Sequence, residues 1–167
     1  MEVSFEGEWK IDLDSSFVWD VGSGAYIPDR IGQELITIRL DGDMQHYEVL
    51  LGDKPTIRMG YDSRYDATDW VPYSVREIIG AEDEGEVTDF IERTRQRKTD
   101  FKVGQIYGLI RSIYVDERTH YRISKDAETG QSEYIMLRRL DEDGQSYTAR
   151  VFRNDGLVSI IRRFIRR

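Results

Sequence analysis

Residues 133–165 read EYIMLRRLDEDGQSYTARVFRNDGLVSIIRRFI, and this stretch decides the fold. Two Asp-Gly pairs, Asp143-Gly144 and Asp155-Gly156, separate runs rich in Ile, Val, Leu, Tyr and Arg. Asp-Gly accepts positive φ at both central turn positions, so between such runs it marks a tight hairpin. Thr129-Gly130 precedes them at nearly the same stride, and Asp41-Gly42 repeats the signal upstream. That rhythm is the signature of an up-and-down antiparallel meander.

Working outward, Glu133–Leu140, Ser146–Arg153 and Leu157–Ile165 are predicted strands, preceded by Val103–Val115 and Thr119–Lys125. Nearer the N-terminus, Gly7–Leu13 alternates as a first strand. Glu34–Leu40 and Met44–Leu51 form a hairpin around Asp41-Gly42, and Thr56–Tyr61 and Tyr73–Ile79 follow. Residues 14–33 carry Ser15-Ser16, Gly22-Ser23-Gly24 and Pro28 around Phe17, Trp19 and Tyr26. A loop that long in a compact domain caps or binds something, so it reads as an N-terminal flap over one end of the barrel. Residues 80–100 read as an acidic loop and a short helix over Phe90–Lys98, with Asp89 and Glu92 as a capping box. An unclosed meander leaves two open edges. The fold class expected for 1–167 is therefore one mainly β domain, an antiparallel up-and-down β-barrel of about 8–10 strands.

The chain has no cysteine, which excludes disulfides and thiolate metal sites, and with two histidines no metal site is expected. No phosphate-cradling glycine loop is present, so no cofactor is expected. A net charge of −8 argues against nucleic acid as a partner. Met1 is followed by acidic residues without an apolar core, and no stretch has membrane-span length. The expected compartment is the cytoplasm, with no membrane partner. The last strand is apolar on both parities: Leu157, Ile161 and Ile165 share one face, Val158, Ile160 and Phe164 the other. One set looks inward and the other needs cover, which predicts a homodimer.

Ten tyrosines and three tryptophans suit a pocket that is apolar with polar handles. Trp19, Tyr47, Tyr61, Trp70, Tyr73 and Tyr121 are candidate ligand contacts. In Arg138-Arg139 and Arg162-Arg163, adjacent strand residues point to opposite faces. Either one guanidinium of each pair enters the barrel, where it needs an anion, or the pairs sit at strand ends and reach water. Arg139 is the candidate anion contact. Tyr107 and Arg111 place polar groups on what reads as an apolar strand face. His46 shares a face with Glu48, and His120 with Arg118 and Arg122, whose charges would depress its pKa.

Two functions remain open on these residues. One is a module binding a small apolar or aromatic molecule, with an acidic group as an option. The alternative is a cofactor-independent isomerase, cyclase, dehydratase or lyase using His46, His120, Tyr107 and Arg111 as acid–base groups. A solid, purely structural barrel is a third option.

The opening Phe5–Asp12, followed by Ser16-Phe17, resembles the first strand of lipocalin-like (calycin) barrels, and Gly7-x-Trp9 is similar to their Gly-x-Trp signature. Residues 61–73, with Trp70-Val71-Pro72, and the terminal meander resemble the bacterial members. The resemblance implies a central cavity for a small, largely apolar molecule. It also implies that Trp9 closes one barrel end beneath a late arginine, Arg162, Arg163 or Arg166. By analogy with fatty-acid binders, Arg138, Arg139, Arg150 and Tyr147 would hold a carboxylate. The chain departs from secreted lipocalins in lacking cysteines and a leader.

Overall fold

The computed structural model describes residues 3–81, 83–94 and 102–167. The chain runs β1 (Gly7–Asp20), β2 (Ala25–Pro28), β3 (Glu34–Asp41), β4 (Met44–Leu51), β5 (Thr56–Arg64), β6 (Val71–Ile79) and α1 (Glu84–Thr94). It continues with β7 (Ile106–Asp116), β8 (Thr119–Lys125), β9 (Ser132–Leu140), β10 (Ser146–Phe152) and β11 (Val158–Arg166). All pairings between these strands are antiparallel, and β11 returns to β1 through Trp9↔Arg166 and Ile11↔Phe164. The result is a closed barrel of ten strands, with β2 as one extra strand paired to the far half of β1.

The meander is as expected, because each short turn forces the next strand to lie beside the last. The flap differs in one respect: it is itself a hairpin rather than a loop. β1 continues to Asp20 and folds back as β2, with Phe17↔Pro28 and Asp20↔Ala25 in register. A bulge between Asp12 and Phe17 lets β1 bend there. Ser16 fills it, donating from Oγ to the Asp12 carbonyl (2.7 Å) and accepting from the Arg163 amide (3.1 Å).

The helix begins earlier than Phe90. Its N-cap is Asp83, whose carboxylate accepts from the Glu86 amide at 3.1 Å, rather than Asp89. Residues 95–98 of the expected helix lie outside the described residues. Phe90 and Ile91 are buried, as their apolar character requires, and Phe90 packs onto Gly52. No described helix is long and apolar enough to cross a membrane.

One end of the barrel is sealed. The Trp9 indole donates to the Phe5 carbonyl (2.8 Å) and sits edge-on to Tyr147 (4.9 Å between ring centroids). The Arg166 guanidinium lies 4.2 Å from the Trp9 ring centroid, so Arg166 takes the place the resemblance implies. It also donates to the carbonyls of Ser4, Glu6 and Gly144, tying the N-terminal segment to the last turn. The β2 hairpin and α1 lie at the opposite end.

The outer surface is divided. Over β4–β6 it is charged and internally paired, with Arg58 between Glu48 and Glu77, and Arg76 between Glu48 and Asp62. Over β7–β11 it carries apolar rows interrupted and flanked by the outward-facing Arg111, Arg139, Arg150 and Arg163. Register aligns Ile113, Tyr121, Leu137, Arg150, Ile161 and Phe17 in one lateral row, and Ile123, Ile135, Phe152 and Val158 in the next.

Candidate functional site

The inward residues of the strands line a partly open cavity of about 340 Å³. Alternation decides which side chains reach it. On β4, Tyr47 points in and His46 out; on β9, Tyr134, Met136 and Arg138 point in while Arg139 is exposed. On β8 the usual pattern is inverted. His120, Arg122 and Ser124 are buried inside, while Tyr121 and Ile123 lie on the outer face.

Two arginines dominate the interior. Arg122 is surrounded by tyrosines, with Cζ 5.1 to 5.7 Å from the ring centroids of Tyr73, Tyr47, Tyr61 and Tyr134. Its Nε and Nη1 have no hydrogen-bond partner among the described residues. Arg138 donates from Nη2 to Gln45 Oε1 (3.1 Å), but its Nε and Nη1 are likewise unpartnered, as is the Tyr147 hydroxyl. A guanidinium stays charged in a protein, so each such N–H is a donor awaiting an acceptor. Burial pushes the phenols of Tyr47, Tyr73 and Tyr147 above their ordinary value, which keeps them neutral donors.

At the mouth, Arg162 pairs with Asp29 (2.6 Å) and Glu34 (3.2 Å). Burial pushes the Glu34 carboxyl up, and the charge of Arg162 beside it works in the other direction. Asp29 follows β2 and also accepts from the Ile31 amide (2.9 Å), so this cluster fastens the flap segment to the barrel wall. The pair Arg162-Arg163 thus divides inside and outside: Arg163 faces out, against Asp141 (3.0 Å).

Beneath the cavity a polar network crosses the barrel. Gln45 Oε1 accepts from Tyr61 (2.9 Å) as well as Arg138, and its amide nitrogen donates to the Tyr65 hydroxyl. That hydroxyl lies 2.9 Å from His120 Nδ1, to which it is placed to donate. His120 is therefore neutral, with its other nitrogen buried and without a hydrogen-bond partner among the described residues. Burial depresses its pKa to about 3, helped by the charge of Arg138. The sequence reading anticipates the direction but names Arg118 and Arg122 as the cause.

The predicted site residues separate accordingly. Trp19, Tyr47, Tyr73 and Tyr107 line the cavity; Tyr61 stacks under Tyr47 (4.8 Å) without lining it. Trp70 lies on the outer surface, where Lys125 Nζ is 4.3 Å and Arg111 Cζ 5.6 Å from its ring. Tyr121 and Arg139 also face outward, because they occupy the outer parity of β8 and β9. Arg111 faces out and donates to the Ala67 carbonyl (3.0 Å). The extra residue of β7 between Ile106 and Gly108, opposite Tyr73–Ser74, shifts the parity after Tyr107. His46 sits outside, 2.6 Å from Asp62 rather than oriented by Glu48. The four acid–base candidates therefore do not converge. Arg122, Gln45 and Glu34 are interior polar residues that sequence reasoning did not select; Arg138 entered through its pair with Arg139 and the likeness to fatty-acid binders, and Arg162 through its pair with Arg163 and as a partner for Trp9, a place that Arg166 takes. The run His120-x-Arg122-x-Ser124, polar on one parity between apolar neighbours, was the available signal.

Fold and site together define a closed ten-stranded β-barrel with a cavity that is tyrosine-lined and cationic. No protein-family model matches the chain, and no curated protein does. Among solved structures the chain is similar to a Schistosoma mansoni fatty acid binding protein in complex with arachidonic acid. The TM-score is 0.58 and the identity 13%, over 100% of this chain and 99% of that one. At that identity the likeness is one of fold.

Proposed function

We propose that this protein binds a small apolar molecule carrying an acidic group inside its barrel, with the anion at Arg122 and Arg138. The observation that carries the reading is four buried guanidinium nitrogens without a hydrogen-bond partner among the described residues, on arginines lining the barrel cavity. An unpaired buried donor costs about 1–3 kcal/mol, and more when charged, so an interior holding several of them fits a guest that supplies acceptors. A carboxylate offers two oxygens, which suits the flat fork of an arginine. The structural neighbour, a fatty acid binding protein in complex with arachidonic acid, adds support by analogy of fold. Calorimetric titration with decanoate and with decanol tests it. Saturable binding of decanoate, weak binding of decanol, and loss of the difference in Arg122→Met are expected. Equal binding of acid and alcohol to the wild type overturns the reading.

The apolar rows on the outer face of β7–β11, among them Tyr121, Ile123, Ile135, Leu137 and Ile161, belong to the same proposal as a homodimer contact. Light scattering after size exclusion checks it: a dimer that Leu137→Glu converts to monomer is expected, and a monomeric wild type refutes it.

A further inference from the structure

We infer that the guest is a compact, ring-containing acid rather than a long acyl chain. This rests on the reading of the cavity as an acid-binding site and adds the ligand's size and shape. Size comes from the volume. At roughly 20–30 Å³ for each non-hydrogen atom in a packed interior, 340 Å³ admits about 11 to 17 such atoms. The space cannot be extended downward, because the sealed end is filled by Phe5, Trp9, Tyr147 and Phe164, all about 1% exposed or less. At the mouth the Arg162–Asp29–Glu34 cluster holds the segment after β2 against the wall. Naphthoate and decanoate fall inside the size range; palmitate and arachidonate exceed it.

Shape comes from the aromatic wall. Tyr73 stands edge-on to Tyr47 (68° between planes) and to Tyr107 (86°), so neighbouring rings present faces and edges in alternation. A flat ring meets such a wall with edge-to-face contacts that a flexible chain cannot reproduce. A rigid guest also loses less conformational freedom on entry. The anion site lies close by, with the Cζ atoms of Arg122 and Arg138 at 5.2 and 5.8 Å from the Tyr47 ring centroid. Acid and ring must therefore be near neighbours in the guest, as they are in an aryl carboxylate.

Titration of the full chain with naphthoate, decanoate and palmitate decides the matter. Naphthoate is expected to bind at least tenfold more tightly than either of the others. Palmitate matching or exceeding naphthoate overturns the size limit and leaves the acid-binding reading standing. Decanoate matching naphthoate overturns the ring preference. Failure of all three acids to bind overturns the acid-binding reading itself. Met136→Ala, which enlarges the cavity wall, is expected to narrow the gap between naphthoate and palmitate; an unchanged ratio also counts against the size limit.

Discussion

Acidification is expected to destabilise the barrel through His120. In the folded chain this imidazole is 3% exposed, and burial together with Arg138 depresses its pKa to about 3. In the unfolded chain it returns to about 6.5. Between those values the unfolded state binds the extra proton, so stability falls as pH falls through that window. At pH 7 the penalty is about 0.2 kcal/mol and at pH 5 about 2 kcal/mol, a difference of roughly 2 kcal/mol. Glu34 contributes with the opposite sign, since burial raises its folded pKa. The comparison that isolates His120 is therefore between the wild type and His120→Gln, whose amide can still accept from Tyr65. Urea unfolding at the two pH values gives both differences. The wild type should lose about 2 kcal/mol more than the variant. Equal losses would refute the assignment of a neutral, desolvated imidazole, as would an NMR titration showing that ring protonated at pH 5.

Two further outcomes follow from the same interior. Arg122→Met is expected to stabilise the ligand-free protein by about 1–3 kcal/mol while abolishing acid binding, because it removes a buried charge with unpartnered donors; a lowered melting temperature would mean that the tyrosines around Arg122 already compensate it. Gly52→Ala is expected to cost about 2 kcal/mol in thermal unfolding, because Gly52 has φ +81° and an added Cβ would overlap the Phe90 ring. An unchanged melting temperature would show that Phe90 does not seat against β4.

Much of the architecture was legible because it is local. Asp143-Gly144 and Asp155-Gly156 lie at tight turns, and each run between turns became a strand that pairs with its neighbour. Gly7-x-Trp9 led to the sealed end. The flap was harder to read, since β2 is only four residues long and its pairing partner continues past a bulge. The helix is capped by Asp83 rather than Asp89 although both are good caps by type, and the hydrogen bond from the Glu86 amide to the Asp83 carboxylate is visible only in the folded chain.

The site was less legible because barrel interiors need not be the more apolar side. On β8 the apolar parity, Tyr121 and Ile123, faces outward, and the inner parity carries His120 and Arg122. A rule that sends hydrophobic residues inward selects Tyr121 and passes over Arg122. On β9 each parity carries one arginine beside apolar residues, so nothing local separates Arg138 from Arg139. On β7 one extra residue at Tyr107 keeps that ring inside while turning Arg111 out.

By itself the sequence determined most of the strands and their order, because turn chemistry and alternation act over a few residues. Only the tertiary structure decided which parity faces the cavity, how large the cavity is and which charges inside it lack partners. Those properties depend on the bulges in β1 and β7 and on the meeting of β11 with β1, contacts between residues far apart in the chain that no short window of sequence contains.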